Sequence, residues 1–199
     1  MAQSSDAPQS PRFSKRRAKT LNHHSTCLSH DPCLGVQWNP CFCVGSLRKA
    51  RRCTPRSSLT GSQEVPPRTT AATGTVTLTI SSDRARITYK VVTVGPFTSD
   101  VRQAHIHVQQ PDVNGPVVLF YCTNLTPLAA VPTPQPCLTA GGTITGTHTA
   151  ADFISSAAAS ALGVNTFADI VTSILNGSTY SNVHTVTFPV GEIRGQNVL

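Results

Sequence analysis

The residues in this sequence best suited to chemistry are His105 and His107, which are separated by a single apolar residue. The stretch around them, 103–108, has the β-branched and apolar composition that favours a β-strand. Successive side chains of a strand point to opposite faces, so both imidazoles should share one face while Ile106 takes the other. Such a pair is a two-point ligand set for Cu(II) or Zn(II).

A third histidine, His184, lies in a second alternating segment, where it shares a face with Asn182. If a neighbouring strand brings His184 to the face of His105 and His107, the ring nitrogens should lie roughly 3 to 4 Å apart. Convergence would indicate a metal site, and convergence without an open coordination position would favour a structural site over an enzyme. The alternative is a stripe of structural histidines held by hydrogen bonds, and the sequence leaves both open.

Hydrophobic alternation and turn residues predict antiparallel hairpins that would position these histidines. The predicted strands cover residues 59–65, 74–80, 85–94, 103–108, 117–121, 143–145, 180–188 and 192–196. Two short helices are predicted before the last hairpin, over 150–162 behind a Thr149 cap and over 167–175 behind a Thr166 cap. The expected fold is mainly β, an antiparallel β-sandwich of the immunoglobulin-like or Cu/Zn superoxide dismutase-like kind.

Charge divides the 199-residue chain into two parts. Residues 1–60 carry ten Lys or Arg and two acids, whereas residues 61–199 carry six and seven. The net charge of +7 therefore belongs to the N-terminal part, and nucleic-acid binding by the rest is not indicated. We predict a disordered basic leader over 1–58, dispensable for folding, followed by a single domain over 59–199.

The leader lacks the uninterrupted apolar segment of a secretory signal, and no segment of the chain is long enough to span a membrane. Its composition fits an organellar transit peptide, a nuclear-import or nucleic-acid patch, or translation from an unsuitable start site in place of the true leader. From Leu59 onward the chain is rich in Thr, Val, Ala and Ser, which is typical of a secreted β protein.

Cys122 and Cys137 are the only cysteines of the predicted domain, and they bracket a proline-rich loop. In an exported protein we expect them to form a disulfide, with free thiols as the alternative. A bridge that closes a loop of this size contributes about 3 kcal/mol in the chain-entropy model. Asn124 and Asn176 each begin an N-glycosylation sequon in a predicted loop.

Glu192 and Arg194 stand two residues apart and should share a strand face. A buried arginine prefers fixed bidentate partners, so we expect a structural ion-pair arrangement in which these residues bind each other's neighbours or clamp a loop. Glu64 is the expected distant partner of Arg194.

Five motifs occur in order along the chain: Gly61 to Pro67, Ala104 to His107, Asn114 to Val117, Tyr180 to Thr185 and Gly191 to Gln196. Together they resemble the CHRD domain family, whose module is named after chordin. The resemblance covers about residues 59–199 and implies a β-rich domain that is usually exported. It therefore implies a secreted protein, although the basic leader raises transport to an organelle as the alternative.

Two functions from different classes follow. The leading hypothesis, implied by the resemblance, is a non-catalytic extracellular structural or interaction module whose partner would be an extracellular protein or a cell-surface ligand. The alternative is a metal-dependent redox enzyme that uses Cu or Zn held by His105, His107 and His184. No Ser-His-Asp order, Gly-rich phosphate loop or paired carboxylates indicate another catalytic chemistry.

Overall fold

A computed structural model of the protein describes residues 53–126 and 134–199. Most of the predicted basic leader, residues 1–52, lies outside the described residues, as does part of the proline-rich loop, residues 127–133. Within the described part, no helix combines the length and hydrophobicity that crossing a membrane requires.

The described residues contain eight antiparallel strands in one sheet. They are β1 (Arg56–Thr60), β2 (Thr73–Ile80), β3 (Ile87–Val94), β4 (Val101–Val108), β5 (Val117–Thr123), β6 (Gly142–His148), β7 (Thr179–Thr185) and β8 (Ile193–Gln196). Their order across the sheet is β5-β4-β7-β8-β1-β2-β3-β6. The end strands approach each other, and Tyr89 of β3 donates a hydrogen bond to the Tyr121 carbonyl of β5 at 3.1 Å. The sheet thus curls around a core into the mainly β, sandwich-like fold that was predicted.

The strands β1, β2, β3 and β6, hereafter the threonine half, mostly alternate more buried with more exposed residues. Val76 and Leu78 of β2 and Ile87 and Val91 of β3 are buried in the core. The residues between them are mostly threonines that are exposed or half-buried on the outward face. Burial of each large apolar side chain contributes about 1.5–3 kcal/mol, and threonine suits the exposed face of a strand because it is β-branched.

The strands β4, β5, β7 and β8, hereafter the histidine half, are packed on both faces. Ala104 and Ile106 of β4 enter the core, while His105 and His107 on the outward face are also buried. All seven residues of β7 are buried. Two segments, 109–116 and 186–191, contribute backbone carbonyls to this outward face and are called the covering segments below.

The first predicted helix, over 150–162, is wrong in extent. The structure has a 3-10 turn at Ala150–Asp152 and then a separate helix α1 of five residues, Ala157–Ala161. Between them, the Ile154 amide donates a hydrogen bond to the Val118 carbonyl of β5 at 3.0 Å. Pairing with the sheet edge therefore replaces helical hydrogen bonding over these residues.

The second helix agrees with the prediction. Helix α2 spans Phe167–Leu175, and the Thr166 side chain accepts a hydrogen bond from the Asp169 amide. The Asp169 carboxylate accepts from the Thr166 amide in return, which completes a capping box. The buried face of α2 packs Ile170 and Ile174 onto the core.

Strand β1 joins the two halves of the sheet, because it lies between β2 and β8. It begins at Arg56, three residues before the predicted domain start at Leu59. Ser57 is buried and donates a hydrogen bond to the Asn197 side-chain oxygen at 2.6 Å. The residues just before Leu59 therefore take part in the packing of the domain.

The disulfide predicted between Cys122 and Cys137 is present, with a Cα–Cα distance of 4.9 Å. Cys122 lies on β5, and Cys137 precedes β6. Both are buried in the core. The bridge therefore links the chain near the two end strands of the curled sheet.

Candidate metal centre

The register of β4 against β7 brings the three predicted histidines together. His107 pairs with Tyr180, His105 with Asn182, and Gln103 with His184. Cross-strand partners share a face of the sheet, so His184 stands diagonally across from His105 on the outward face. The ring centroids of His105 and His184 are 4.6 Å apart.

The candidate ligand atoms of His105, His107 and His184 all lie within 4.8 Å of one another. Nδ1 of His105 and Nε2 of His107 lie 3.3 Å apart. Ligand atoms bound to one Zn(II) at 2.0–2.1 Å in a tetrahedron would be about 3.3 Å apart. The spacing of His105 and His107 therefore matches that of two ligands on one ion, whereas the 4.8 Å limit for the whole cluster exceeds it, so the rings would have to draw closer around an ion.

Aromatic rings form the walls of this cluster. His107 stacks on Tyr180 with ring centroids 4.6 Å apart and planes 4° from parallel. His105 meets Phe120 edge to face at 4.5 Å. The three histidines are only 3%, 7% and 8% exposed, so the cluster is closed to solvent.

Two of the histidines are oriented by backbone carbonyls of the covering segments. Nδ1 of His107 lies 2.8 Å from the Gly115 oxygen, and Nδ1 of His184 lies 3.0 Å from the Pro189 oxygen. A metal-binding histidine commonly donates its second ring N–H to a carbonyl in this way, which leaves the other nitrogen free for the metal. In both residues that nitrogen is Nε2.

Asn182 is the residue of the cluster that the histidine pattern did not identify. Its side-chain oxygen lies 3.0 Å from Nε2 of His107 and 3.0 Å from Nε2 of His184. The signal was present in the sequence, since Asn182 alternates with His184 on one strand face. An amide oxygen at this place adds a fourth possible ligand atom.

Burial keeps these imidazoles neutral. It lowers the pKa of His107 to about 4, although the contact with the Gly115 carbonyl opposes the shift. Burial, and then the nearby charges of His184 and His107, hold the pKa of His105 well below its ordinary value. Burial also lowers the pKa of His184, against the opposing effect of the Pro189 carbonyl. Neutral rings have the lone pairs that metal binding requires.

Glu64 follows the 3-10 turn Gly61–Gln63 and is 3% exposed. Burial raises its pKa to about 7, and the charges of Arg194 and Arg68 and a hydrogen bond from Asn182 oppose this rise. One carboxylate oxygen, Oε1, has no hydrogen-bond partner among the described residues.

Arg194 clamps the first covering segment. Its guanidinium donates to the side-chain oxygen of Asn114 at 3.1 Å and to the carbonyls of Gln110 and Val113 at 3.3 and 2.8 Å. The group also lies 3.5 Å from the centroid of the Tyr180 ring, a cation–π contact. Arg194 thereby fixes the segment that carries the Gly115 carbonyl.

Glu192 has a separate structural setting, although the sequence grouped it with Arg194 and Glu64. Its carboxylate accepts hydrogen bonds from the hydroxyls of Thr70, Thr98 and Thr185 at 2.6 to 2.7 Å and from the Thr98 amide at 3.0 Å. Burial would raise its pKa, but these hydrogen bonds outweigh burial and lower it. Glu192 thus joins three segments of the chain as a buried anion.

The two sequons differ in their surroundings. The Asn124 amide nitrogen donates to the carbonyls of Val101 and Cys137 at 3.0 and 3.1 Å, and its oxygen accepts from the Cys137 amide at 2.9 Å. Asn176, at the end of α2, is exposed, as is Asn124, so the two sequons differ in the hydrogen bonds of their asparagines and not in exposure. The nitrogen that would carry a glycan is thus engaged in Asn124.

A family model of the CHRD domain matches residues 56–197. The match covers most of the chain, which therefore belongs to the CHRD domain family, as its motifs indicated. This membership indicates a module of extracellular type. No curated protein and no solved structure matches the chain.

Proposed function

We propose that this CHRD domain is a secreted, non-catalytic structural or interaction module that holds one divalent metal ion, Zn(II) or Cu(II), between β4 and β7. The ligands would be the ring nitrogens of His105, His107 and His184. The ion would fasten together two strands and the covering segments, and the module would act by contact with an extracellular protein or a cell-surface ligand.

The proposal rests on one observation: His107 and His184 have fewer N–H groups than the oxygen atoms that face their ring nitrogens. His107 faces oxygen atoms with both of its ring nitrogens, Gly115 at 2.8 Å and Asn182 at 3.0 Å. His184 does the same with Pro189 and Asn182, both at 3.0 Å. A neutral imidazole has only one N–H, so in each ring one lone pair faces another.

A cation bound by these lone pairs would remove the repulsion between them. Protonation of the rings would also supply a positive charge, but the lowered pKa values of His107 and His184 oppose it near neutral pH. A metal ion would instead accept the Nε2 lone pairs while the Nδ1 N–H groups remain on the carbonyls of Gly115 and Pro189. Three imidazoles suit Zn(II) or Cu(II).

Closure of the cluster favours a structural ion over a redox centre. Catalytic zinc sites keep a coordination position for water or substrate, whereas structural sites are closed by protein ligands. Here the histidines are less than a tenth exposed, and the Asn182 oxygen stands beside two of the ligand nitrogens.

Calorimetric titration of the metal-free full chain with Zn(II), and separately with Cu(II), tests the proposal. We expect one ion per chain and, at a free metal concentration 100 times Kd, a gain of about 2.7 kcal/mol in unfolding free energy. His107→Gln and His184→Gln should each weaken binding by about 100-fold or more, because loss of an outer hydrogen-bond partner alone costs 10–100-fold.

The matched control is His148→Gln. His148 is also buried, at 3% exposure, but it stacks on Tyr89 with ring centroids 4.5 Å apart and lies outside the cluster. This variant should lose stability and keep its metal affinity. Absence of binding heat and of thermal stabilisation in the parent chain would reduce the proposal to the interaction module alone.

A further inference from the structure

The orientation of the Asn182 side-chain amide determines whether the histidine cluster needs a metal. An amide can present either its oxygen or its NH2 group to the two Nε2 atoms, and the NH2 group would donate hydrogen bonds to both. That orientation would satisfy the rings without a metal. What fixes the amide therefore decides what the cluster can bind.

Glu64 is placed to fix it. The charges of Arg194 and Arg68 favour the ionised form of Glu64, which accepts hydrogen bonds and donates none, and Asn182 is a hydrogen-bond partner that also lowers the Glu64 pKa. When Glu64 is ionised, the Asn182 NH2 group therefore points at the carboxylate, which turns its oxygen towards His107 and His184. The 3.0 Å distances from that oxygen to both Nε2 atoms agree with this orientation.

Gly191 provides the space for this carboxylate. A Cβ atom on residue 191 would lie 2.3 Å from Oε1 and 2.6 Å from Cδ of Glu64. Gly191 also has a φ of +125°, which other residues rarely adopt. The backbone thus leaves room for a buried carboxylate whose Oε1 has no hydrogen-bond partner among the described residues.

We infer that Asn182 is the fourth ligand of the metal and that Glu64 is its positioning residue, which holds the amide oxygen towards the ion. This inference rests on the proposed metal site. The resulting set of three nitrogens and one oxygen favours Zn(II) over Cu(I), which prefers thiolate and thioether ligands. It fills the coordination position that a redox enzyme would leave open.

A double-mutant cycle on the metal-free full chain tests the inference, with Zn(II) affinity and the visible spectrum of bound Co(II) as readouts. Asn182→Ala should weaken Zn(II) binding by about 10–100-fold. It should also alter the visible spectrum of bound Co(II), because a tetrahedral centre would lose its protein oxygen ligand. Glu64→Leu should do the same in the Asn182 background and have no further effect in the Asn182→Ala background. Glu64→Gln, which keeps an oxygen acceptor, should retain affinity within about tenfold of the parent.

The matched control is Asn197→Ala. Asn197 is fully buried, and its side-chain oxygen accepts hydrogen bonds from Ser57 and Ser181 outside the cluster. This variant should lose stability with Zn(II) affinity and Co(II) spectrum unchanged.

The outcomes separate the two proposals. A parent chain that binds neither Zn(II) nor Co(II) would overturn the metal site and this inference together. Binding that Asn182→Ala leaves unaltered would overturn the inference alone. So would a Glu64→Leu effect of equal size in both backgrounds, because Glu64 would then act independently of Asn182. Should Glu64→Leu fail to fold, Asn182→Ala still decides the fourth ligand and Glu64→Gln decides the acceptor role.

Discussion

The two halves of the sheet share the same backbone alternation but differ in the burial of their outward faces. In the threonine half, β2 alternates buried residues with exposed or half-buried threonines. In the histidine half, β7 is buried at every position. The outward face of β4 and β7 carries imidazole and amide groups, and the covering segments place carbonyls over it.

The comparison shows that alternation identifies the residues that share a face but not whether that face meets solvent. Threonine hydroxyls are readily satisfied by water, so the threonine half needs no cover. The histidine half buries a polar layer, and such a layer is stable only when its donors and acceptors are paired or charge-balanced. That requirement distinguishes the histidine half, which contains the candidate metal site, from the threonine half.

Replacement of Arg194, in the histidine half, should cause the largest loss of stability. Arg194→Met leaves two carbonyls and the Asn114 side chain without their donor, and it removes a positive charge near Glu64. We expect a loss of about 3–5 kcal/mol in unfolding free energy from urea titration. Lys90→Met, on the exposed face of β3, should change it by less than about 0.5 kcal/mol. Equal losses would mean that the two outward faces do not differ energetically.

Shortening of β1 should destabilise the sheet where the two halves meet. Strand β1 pairs with β2 from Arg56 to Thr60, and a chain that begins at Leu59 lacks three of these five residues and the Ser57 hydrogen bond. We expect its unfolding free energy to be about 3 kcal/mol below that of a chain beginning at Thr54, since each lost hydrogen bond contributes about 1 kcal/mol. Identical denaturation midpoints would place the domain boundary at Leu59, as the sequence predicts.

The pH dependence of stability should reveal the buried histidine of the threonine half. Burial lowers the pKa of His148 to about 4 from an ordinary value of 6.5, and the Asp152 charge only partly opposes it. The unfolded chain therefore binds a proton that the folded chain rejects, and stability should fall as pH decreases from 6.5 to 4. We expect a loss on the order of 2 kcal/mol.

His148→Phe keeps an aromatic ring beside Tyr89 and removes the titration. Urea unfolding in the presence of a chelator should show a shallower decline for this variant than for the parent. Glu64 has the opposite effect on the pH dependence of stability. Its pKa is raised to about 7, so the stabilisation that its protonated form gives the folded chain disappears as pH rises from 4.5 to 7. Parallel curves for parent and variant would show that His148 titrates alike in both states.

Glycan occupancy should have the smallest effect on stability. We predict a glycan on Asn176 and none on Asn124, because the Asn124 amide nitrogen already makes two hydrogen bonds. Glycopeptide mass spectrometry of material secreted from eukaryotic cells tests this. Asn176→Gln should abolish the glycan and leave the melting temperature unchanged, whereas a glycan found on Asn124 would contradict the prediction.

The strands and α2 follow from local patterns, which is why the sequence predicts them well. Alternation at β2 and β3 and the Thr166 cap of α2 are properties of neighbouring residues. The helix predicted over 150–162 fails because a distant partner intervenes, namely the Val118 carbonyl that accepts from Ile154. Ser156 then provides a new cap closer to α1. Sequence periodicity carries no information about such a partner.

The candidate site shows the same division between features set by neighbouring residues and features set by distant ones. The shared face of His105 and His107 follows from their spacing, but the arrival of His184 depends on β4 and β7 being neighbours, a property of topology. The roles proposed for Asn182 and Glu64 depend in addition on how the chain folds back at Gly191. Such contacts join residues far apart in sequence, so local patterns cannot specify them.

The position of β8 has a consequence for the order of folding during synthesis. This strand, Ile193–Gln196, is the last of the eight along the described sequence, yet it lies inside the sheet between β7 and β1. While residues 193–196 are still within the ribosome, the edges of β7 and β1 remain unpaired, and the early strands cannot complete the sheet. Long-range pairing of this kind is slow and leaves strand edges open to aggregation. The sheet can therefore be completed only after nearly the whole domain has emerged.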